Sequence, residues 1–514
     1  MNIRELVELC QKGSLKYQDL LCDVPGMYVS TPSQLASLIY ASEQITRPSI
    51  IPETIERKSL SQIIESFHRK AGTLTNAVGK NIKYFSDEKP ILRIAHQPNT
   101  FPYLGFFSQF IFLNCVTKTL LSDYNREYCQ IYLVIDFDVA GEKRFRESRF
   151  PKILGKKSVL NLRPNIKPEA YNKYMFAIEK PTEELVFRWI SALRKVVFDD
   201  LEVLQIAGVK EISSGETKES MNLIEAEIWE SFRRSSSLSE FNSILISRII
   251  NLHWDIPILF ISSENTLPLL KEYYEFLLKI FPSLISISNS VVDSFQNKGF
   301  EISNNMRLNN HDFPFWYICQ ICFSRVALKS NSKRQYFISG DCDTCKKKYI
   351  LDFGDQSSPN IGDSNGKLVP KVLFDDFVDI LGWGVAGGVS YIGGAEHSMV
   401  SKICASRMGW PVPPETYWNP RGIYYSATEI WAALNIEGKG DKFTGNTHQS
   451  LKLILSGKAS ILYYIINQGM NELLTMWEQH FYNGKRTYDL NLGKKRFDTT
   501  RNLDYIIKNK LSSL

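Results

Sequence analysis

Residues Ile131-Tyr-Leu-Val-Ile135 are apolar at every position. Side chains alternate between the two faces of a strand, so such a run is a strand buried on both faces, as in a parallel sheet covered by helices. A similar run, Ile91-Leu-Arg-Ile-Ala95, comes earlier and passes through His96-Gln97-Pro98 into the apolar stretch Phe101 to Leu121. Strand, loop, apolar helix and strand is the βαβ order, and it predicts an α/β fold with a doubly wound core. Ile256-Pro-Ile-Leu-Phe-Ile-Ser-Ser-Glu264 supplies a further strand, with Pro257 confined to its first residues because proline cannot donate to the ladder; a helix over Leu267 to Ile280 follows.

In an open parallel sheet, ligands bind beyond the carboxyl ends of the strands. The first strand ends at His96 and Gln97, and the second at Asp136-Phe-Asp138, followed by Arg144, Arg146 and Arg149. Arginines beside carboxylates suit a carboxylate- or phosphate-bearing ligand. The plainer reading is that His96 satisfies a turn carbonyl and the aspartates cap a helix. Further on, Gly387-Gly388 and Gly393-Gly394 precede Glu396. Glycine pairs allow close backbone approach, so a nucleotide or sugar can lie against them with Glu396 on a hydroxyl or ammonium; tight turns in a buried sheet are the alternative. Ser398-Met-Val-Ser-Lys402 is faintly similar to the nucleotide loop of class I synthetases, against the ordinary explanation of a helix following Glu396. The chain has no G-x-x-x-x-G-K-[ST] phosphate loop.

His96-Gln97 with Leu104-Gly105, Asp136-Phe137-Asp138, the segment Val385 to Glu396, Trp410-Pro-Val-Pro-Pro414 and Asn419-Pro-Arg421 together resemble, in order and rough spacing, the cysteine-adding enzymes of bacillithiol biosynthesis. The resemblance spans about residues 89–425 as scattered motifs. It implies a Rossmann-like core related to class I aminoacyl-tRNA synthetases, with connecting insertions and a helical C-terminal part. The implied chemistry joins the carboxyl of cysteine to the amine of a glucosamine–malate conjugate. On that basis His96, Asp136 and Asp138 are the catalytic candidates, and Gln97, Arg144, Arg146, Gly393, Gly394, Glu396 and Arg421 the substrate-binding ones. The activating agent is ATP or an aminoacyl-tRNA. Two positions depart from the family pattern: His96-Gln97-Pro98 stands where Gly-Gln-Gln is usual, and Phe137 where a histidine lies between acidic residues.

Cys319-Gln-Ile-Cys322 and Cys342-Asp-Thr-Cys345, with 19 residues between them, have the spacing of a four-thiolate zinc site. Each C-x2-C knuckle turns two sulfurs toward one ion, and four thiolates close a tetrahedral shell without an open position, which describes structural zinc. Gln335 to Ile338 and Tyr349 to Phe353 read as strands of a zinc ribbon. The nine cysteines, an odd number, and Arg4, Glu5 and Glu8 at the start point to a reducing, cytoplasmic location. Phe101 to Leu121 is interrupted by Ser108, Gln109, Asn114 and Lys118, so a helix buried under a sheet is expected there and no membrane span.

A net charge of +6 over 514 residues does not compel nucleic-acid binding, although Lys143 to Arg149, Lys346 to Lys348 and Lys494 to Arg496 are basic runs. The expected organisation is a helical region over 1–88, with an amphipathic helix from Ser59 to Val78. Core segments over 89–310 and 357–425 follow, interrupted by the ribbon at 311–356, and a helical region occupies 426–514 with a long helix and its companion over Leu451 to Phe481. Those last helices are the candidate surface for a homodimer. Two functions fit: an amino-acid ligase acting on small-molecule substrates, and a catalytically inactive zinc-ribbon protein that binds RNA or another anionic partner.

Overall fold

The computed structural model describes residues 31–43, 56–152, 159–206, 214–302, 306–309, 312–330, 336–354, 358–371, 374–377, 383–391, 395–418 and 458–483, with single positions at Leu6, Gly26, Val29 and Leu453. It is a mixed α/β structure around five parallel strands: β1 (Ile91–His96), β2 (Cys129–Val134), β3 (Leu259–Ser262), β4 (Val385–Tyr391) and β5 (Glu415–Trp418). Their order across the sheet is β3-β2-β1-β4-β5. From β1 the chain therefore winds outward through β2 and β3, then returns to the opposite side of β1 for β4 and β5.

Alternation along these strands divides the interior into two cores. Leu92, Ile94, Tyr132, Val134, Phe260 and Val389 face one that contains helix Leu104–Tyr124. Ile91, Ile131, Leu133, Leu259, Ile261 and Tyr417 face the other, with helices Lys271–Asn297 and Ala395–Arg407. Helix Leu104–Tyr124 joins β1 to β2, and helix Ala395–Arg407 joins β4 to β5 in the opposite direction. Parallel crossovers share one hand, so helices on crossovers running in opposite directions fall on opposite faces.

Helix Leu104–Tyr124 and helix Lys271–Asn297 are long and apolar enough to cross a membrane, by length and composition, but 83% of the most apolar window of the first and 44% of that of the second lie buried in the fold. The first is a core helix, as its interrupted apolar pattern predicts. Helices Ile461–Gln468 and Met470–Asn483 pack into the same core: Leu473, Trp477 and Phe481 are buried there, and the Trp254 indole donates to the Met470 carbonyl at 3.0 Å. Their apolar faces are thus used within the chain.

The amphipathic stretch expected from Ser59 to Val78 is two helices, Arg57–Ala71 and Asn76–Ser86. Gly72 ends the first in a left-handed conformation (φ +71°), and the Thr75 hydroxyl accepts from the Val78 N–H to start the second. The cysteine-bearing segment forms two small sheets. One sheet there pairs Leu368–Pro370, Phe315–Ile318 and Arg325–Ala327, which brings a strand from beyond residue 356 alongside the first cysteine knuckle. The other pairs Lys329–Ser330, Phe337–Asp341 and Lys348–Asp352.

Gly387 and Gly388 lie inside β4, where a Cβ on Gly388 would sit 2.6 Å from the Arg93 carbonyl oxygen of β1. A Cβ on Gly387 would meet the Ile39 side chain at 2.6 Å and the Pro414 carbonyl at 3.1 Å. This pair is required by strand packing. Gly388→Ala should accordingly destabilise the protein by about 1–3 kcal/mol, since backbone cannot yield as a side chain can. Gly79→Ala, in helix Asn76–Ser86 with no heavy atom within 4 Å of the added Cβ, should stabilise it by about 0.5–1 kcal/mol. Urea denaturation of the two variants measures the contrast, and equal effects would contradict the close approach of β4 to β1.

Candidate functional site

A cavity of about 680 Å³ opens at the carboxyl ends of β1 and β4, the pair at which the strand order reverses. β1 supplies Arg93 and His96, and the following loop Gln97 and Tyr103. Asp138 lies beyond β2, Ser390 on β4, and His397 and Ser398 in the first turn of helix Ala395–Arg407. Glu147, Ser148 and Arg149 come from the start of the hairpin Ser148–Pro151/Val159–Leu162. The opposing wall is the ribbon, through Trp316, Arg325, Val369 and Pro370.

His96 is 8% exposed and packs against the Phe106 ring at 4.6 Å between centroids. Its Nδ1 lies 3.0 Å from the Gln97 carbonyl and its Nε2 3.2 Å from the Tyr103 hydroxyl. A carbonyl only accepts, so Nδ1 carries the proton in that contact; a neutral ring then leaves the Nε2 lone pair toward Tyr103. The tautomer follows from this bonding pattern. The arrangement presents a nitrogen base where the strand stops.

Asp136 is placed differently. It is 3% exposed, and its carboxylate accepts from the Ser262 hydroxyl at 2.6 Å, the Ser239 hydroxyl at 3.1 Å and the Glu264 N–H at 3.2 Å. It ties β2 to the end of β3 and to helix Leu238–Ser247, and it is not among the residues lining the cavity. Burial raises its carboxyl from the ordinary 3.8 to about 6, against the pull of those three donors. Asp138, two residues on, is the aspartate that faces the cavity.

Beneath the floor lies a buried charge cluster that the sequence reading missed. The Glu415 carboxylate accepts from Lys402 and from the Ser390 hydroxyl, and Arg93 Nη2 is 3.5 Å away. Lys402 is 1% exposed and Glu415 3%. Lys402 belongs to helix Ala395–Arg407, so the Ser398 to Lys402 segment is helical and its lysine is committed to an internal carboxylate. An arginine inside an otherwise apolar strand was the available signal for this cluster.

The other expected residues divide. His96, Gln97 and Asp138 line the cavity together. Arg146 does not; it stacks on Tyr171 with 4.6 Å from guanidinium to ring centroid. Arg144 lies in the short helix Lys143–Arg146, its side chain outside the described set. Glu396 is in the first turn of its helix and is not a lining residue, while Gly393, Gly394 and Arg421 lie outside the described residues. Sequence reasoning did not single out Tyr103, His397 or Trp316. The cavity carries five cationic side chains, Arg93, Lys143, Arg149, Arg325 and Lys458, and five acidic ones, Asp138, Glu142, Glu147, Asp375 and Asp376. Such balance suits a ligand bearing both an amine and a carboxylate.

The four ribbon cysteines converge, with all their sulfurs within 4.8 Å of one another. Cys319 and Cys345 are 3.4 Å apart, and Cys322 and Cys342 3.5 Å; all four are free thiols. This cluster fits a metal ion such as zinc. Burial pushes the Cys319 thiol up, but the Tyr349 hydroxyl and backbone N–H groups of its own knuckle bring it down, while burial raises the neighbouring Cys342 thiol, so the cluster shares its protons as a set. The knuckle also ties the ribbon to the core, since the Tyr174 N–H donates to the Phe323 carbonyl at 3.1 Å and the Arg325 N–H to the Asn172 carbonyl at 2.8 Å. Arg325 lies 4.5 Å and Lys371 4.8 Å from the Trp316 ring centroid, which fixes that wall.

No protein-family model and no curated protein matches this chain.

The placement of Asp136 has a consequence for pH. Its folded pKa of about 6 lies above the ordinary 3.8, so its contribution to stability is fully present below about pH 4 and is lost as pH rises through 6. The loss amounts to about 3 kcal/mol for a shift of this size. Asp136→Asn cannot titrate, so relative to the wild type it should gain about that much between pH 4 and 7.5 in urea denaturation. Parallel stability–pH curves for the two proteins would contradict a buried, titrating Asp136.

Proposed function

We propose that the protein is a ligase-like enzyme that joins the carboxyl of an amino acid to the amine of a small acceptor. The resemblance to the cysteine-adding enzymes points to cysteine. The observation that carries the reading is the mixed-charge cavity at the point where the strand order reverses, with His96, Gln97 and Asp138 on one side and Arg149 and Arg325 among its cations. The order β3-β2-β1-β4-β5 is also that of a Rossmann-like sheet, which supports kinship with the synthetase core.

Amide formation needs an activated carboxyl and an unprotonated amine, because a free carboxylate is a poor electrophile and an ammonium has no lone pair. In this reading Asp138 holds the incoming ammonium and accepts its proton, with His96 Nε2 as the second acceptor through the Tyr103 hydroxyl that it contacts. Lys143, Arg149 and Arg325 bind the carboxylate and balance negative charge as it develops on the tetrahedral carbon's oxygen and on the leaving group. ATP or an aminoacyl-tRNA supplies the activation. Zinc in the ribbon is structural, because four thiolates leave no position for substrate. The free thiols suit a reducing, cytoplasmic setting.

The RNA-binding alternative calls for Lys346, Lys347 and Lys348 to share a groove with the Arg144 to Arg149 group, and the ligase reading for that group alone to face a pocket with Asp136. The three lysines are exposed on the ribbon and are not among the cavity residues, whereas Lys143 and Arg149 are. This weighs against a shared groove, and the small-molecule reading then rests on Asp138, since Asp136 does not line the cavity.

An untargeted metabolite comparison tests the proposal. Cells lacking the gene should lose an amide conjugate that contains an amino acid, and the wild-type gene should restore it. Asp138→Asn should restore little of it while its product remains folded, because the substitution keeps the shape and removes the proton acceptor, a loss of roughly a hundredfold in rate. No missing conjugate, or full restoration by the Asn variant, would contradict the reading.

A further inference from the structure

Next to the cavity lies a second pocket of about 410 Å³, with Glu147 bordering both. Three guanidinium side chains line it, Arg146, Arg163 and Arg188, against the single carboxylate of Glu147. That carboxylate is already shared among Arg163 at 2.8 Å, Arg149 at 3.8 Å and Lys143 at 4.0 Å. Arg188 meets Glu184 at 3.9 Å on the solvent side of helix Glu183–Ile206.

Arg146 has no carboxylate partner among the described residues. Its Nη1 donates to the Tyr171 hydroxyl at 3.1 Å, its plane lies over the Tyr171 ring, and its Nε is buried with no acceptor. Arg146 is only half-buried, but a partly desolvated cation without a counter-charge is still costly, and contact with a ring holds it without neutralising it. Guanidinium groups present parallel N–H donors that match two oxygens of one anion. We propose that this pocket is an oxyanion-binding site, in which Arg146 and Arg163 grip a phosphoryl or carboxylate group of a ligand and Arg188 adds long-range attraction. The assignment stands apart from the chemistry in the cavity. Arg146, expected from the sequence to serve the same site as Asp138, instead serves its neighbour.

Isothermal titration at low ionic strength with inorganic phosphate, pyrophosphate and malate tests it, the first two reporting a phosphoryl preference and the third a carboxylate one. Wild-type protein should bind at least one of the three anions with 1:1 stoichiometry. Arg146→Gln should weaken that binding by at least tenfold, and Arg146→Lys nearly as much, because an ammonium keeps the charge and loses the paired donors. Arg163→Gln provides the same test if the Arg146 variants fold poorly. Arg233→Gln, which removes an exposed charge paired with Glu230 on another helix, should change affinity less than twofold. Absence of binding by all three anions, full affinity in the Arg146 or Arg163 variants, or an equal loss in the Arg233 variant would overturn the site. None of these outcomes bears on the metabolite comparison, so the two proposals fail separately.

Discussion

The parallel pairing of β1 on both of its edges is the constraint from which the site follows. β1 bonds to β2 along one side and to β4 along the other, and successive strands leave it in opposite directions. The helices that follow β1 and β4 must then take opposite faces, so neither of these two crossovers covers the gap between the two strand ends. His96 and Ser390 border that gap because each lies at or near the end of its strand. The buried Glu415 cluster stabilises the same junction from below: its cations come from β1 and from the helix after β4, and its carboxylate from β5. A buried carboxylate with two cationic partners and a hydroxyl keeps its charge satisfied, and removing any one member would leave the others in low dielectric.

The ribbon has a second role beyond folding a small module. The Cys319–Cys322 knuckle lies between the strands that carry Trp316 and Arg325, so whatever holds the four sulfurs together also sets the angle between those strands. Its backbone bonds to residues 172 and 174 transmit that geometry to the segment after β2. The four-cysteine cluster and the cavity are therefore neighbours through one hairpin, an arrangement the cysteine spacing alone could not disclose.

Much of the central sheet was legible because burial on both faces writes itself into sequence as unbroken apolar runs, as in β2. The convergence of the four cysteines was legible because metal coordination permits few spacings. What escaped depended on contacts distant in sequence. Asp136 and Asp138 both follow β2 and look alike as text, yet the hydroxyls that claim Asp136 come from Ser239 and Ser262, more than a hundred positions away. Gly387-Gly388 read equally well as a ligand turn, and only the approach of β1 decides for packing. Helix Lys271–Asn297 runs through Pro282, where the sequence reading stopped at Ile280, because Leu284, Val291, Val292 and Phe295 bury enough apolar surface to outweigh one lost hydrogen bond.

The most direct test of this account is hydrogen exchange read by mass spectrometry, before and after chelation, on protein whose metal content has been determined. The account predicts about one zinc per chain. Its removal should accelerate exchange in Phe315–Ile318, Arg325–Ala327, Leu368–Pro370 and the Asn172 to Tyr174 segment, while β1 and β2 stay protected. Protein without metal, or chelation that leaves the exchange of the cavity wall unchanged, would contradict it.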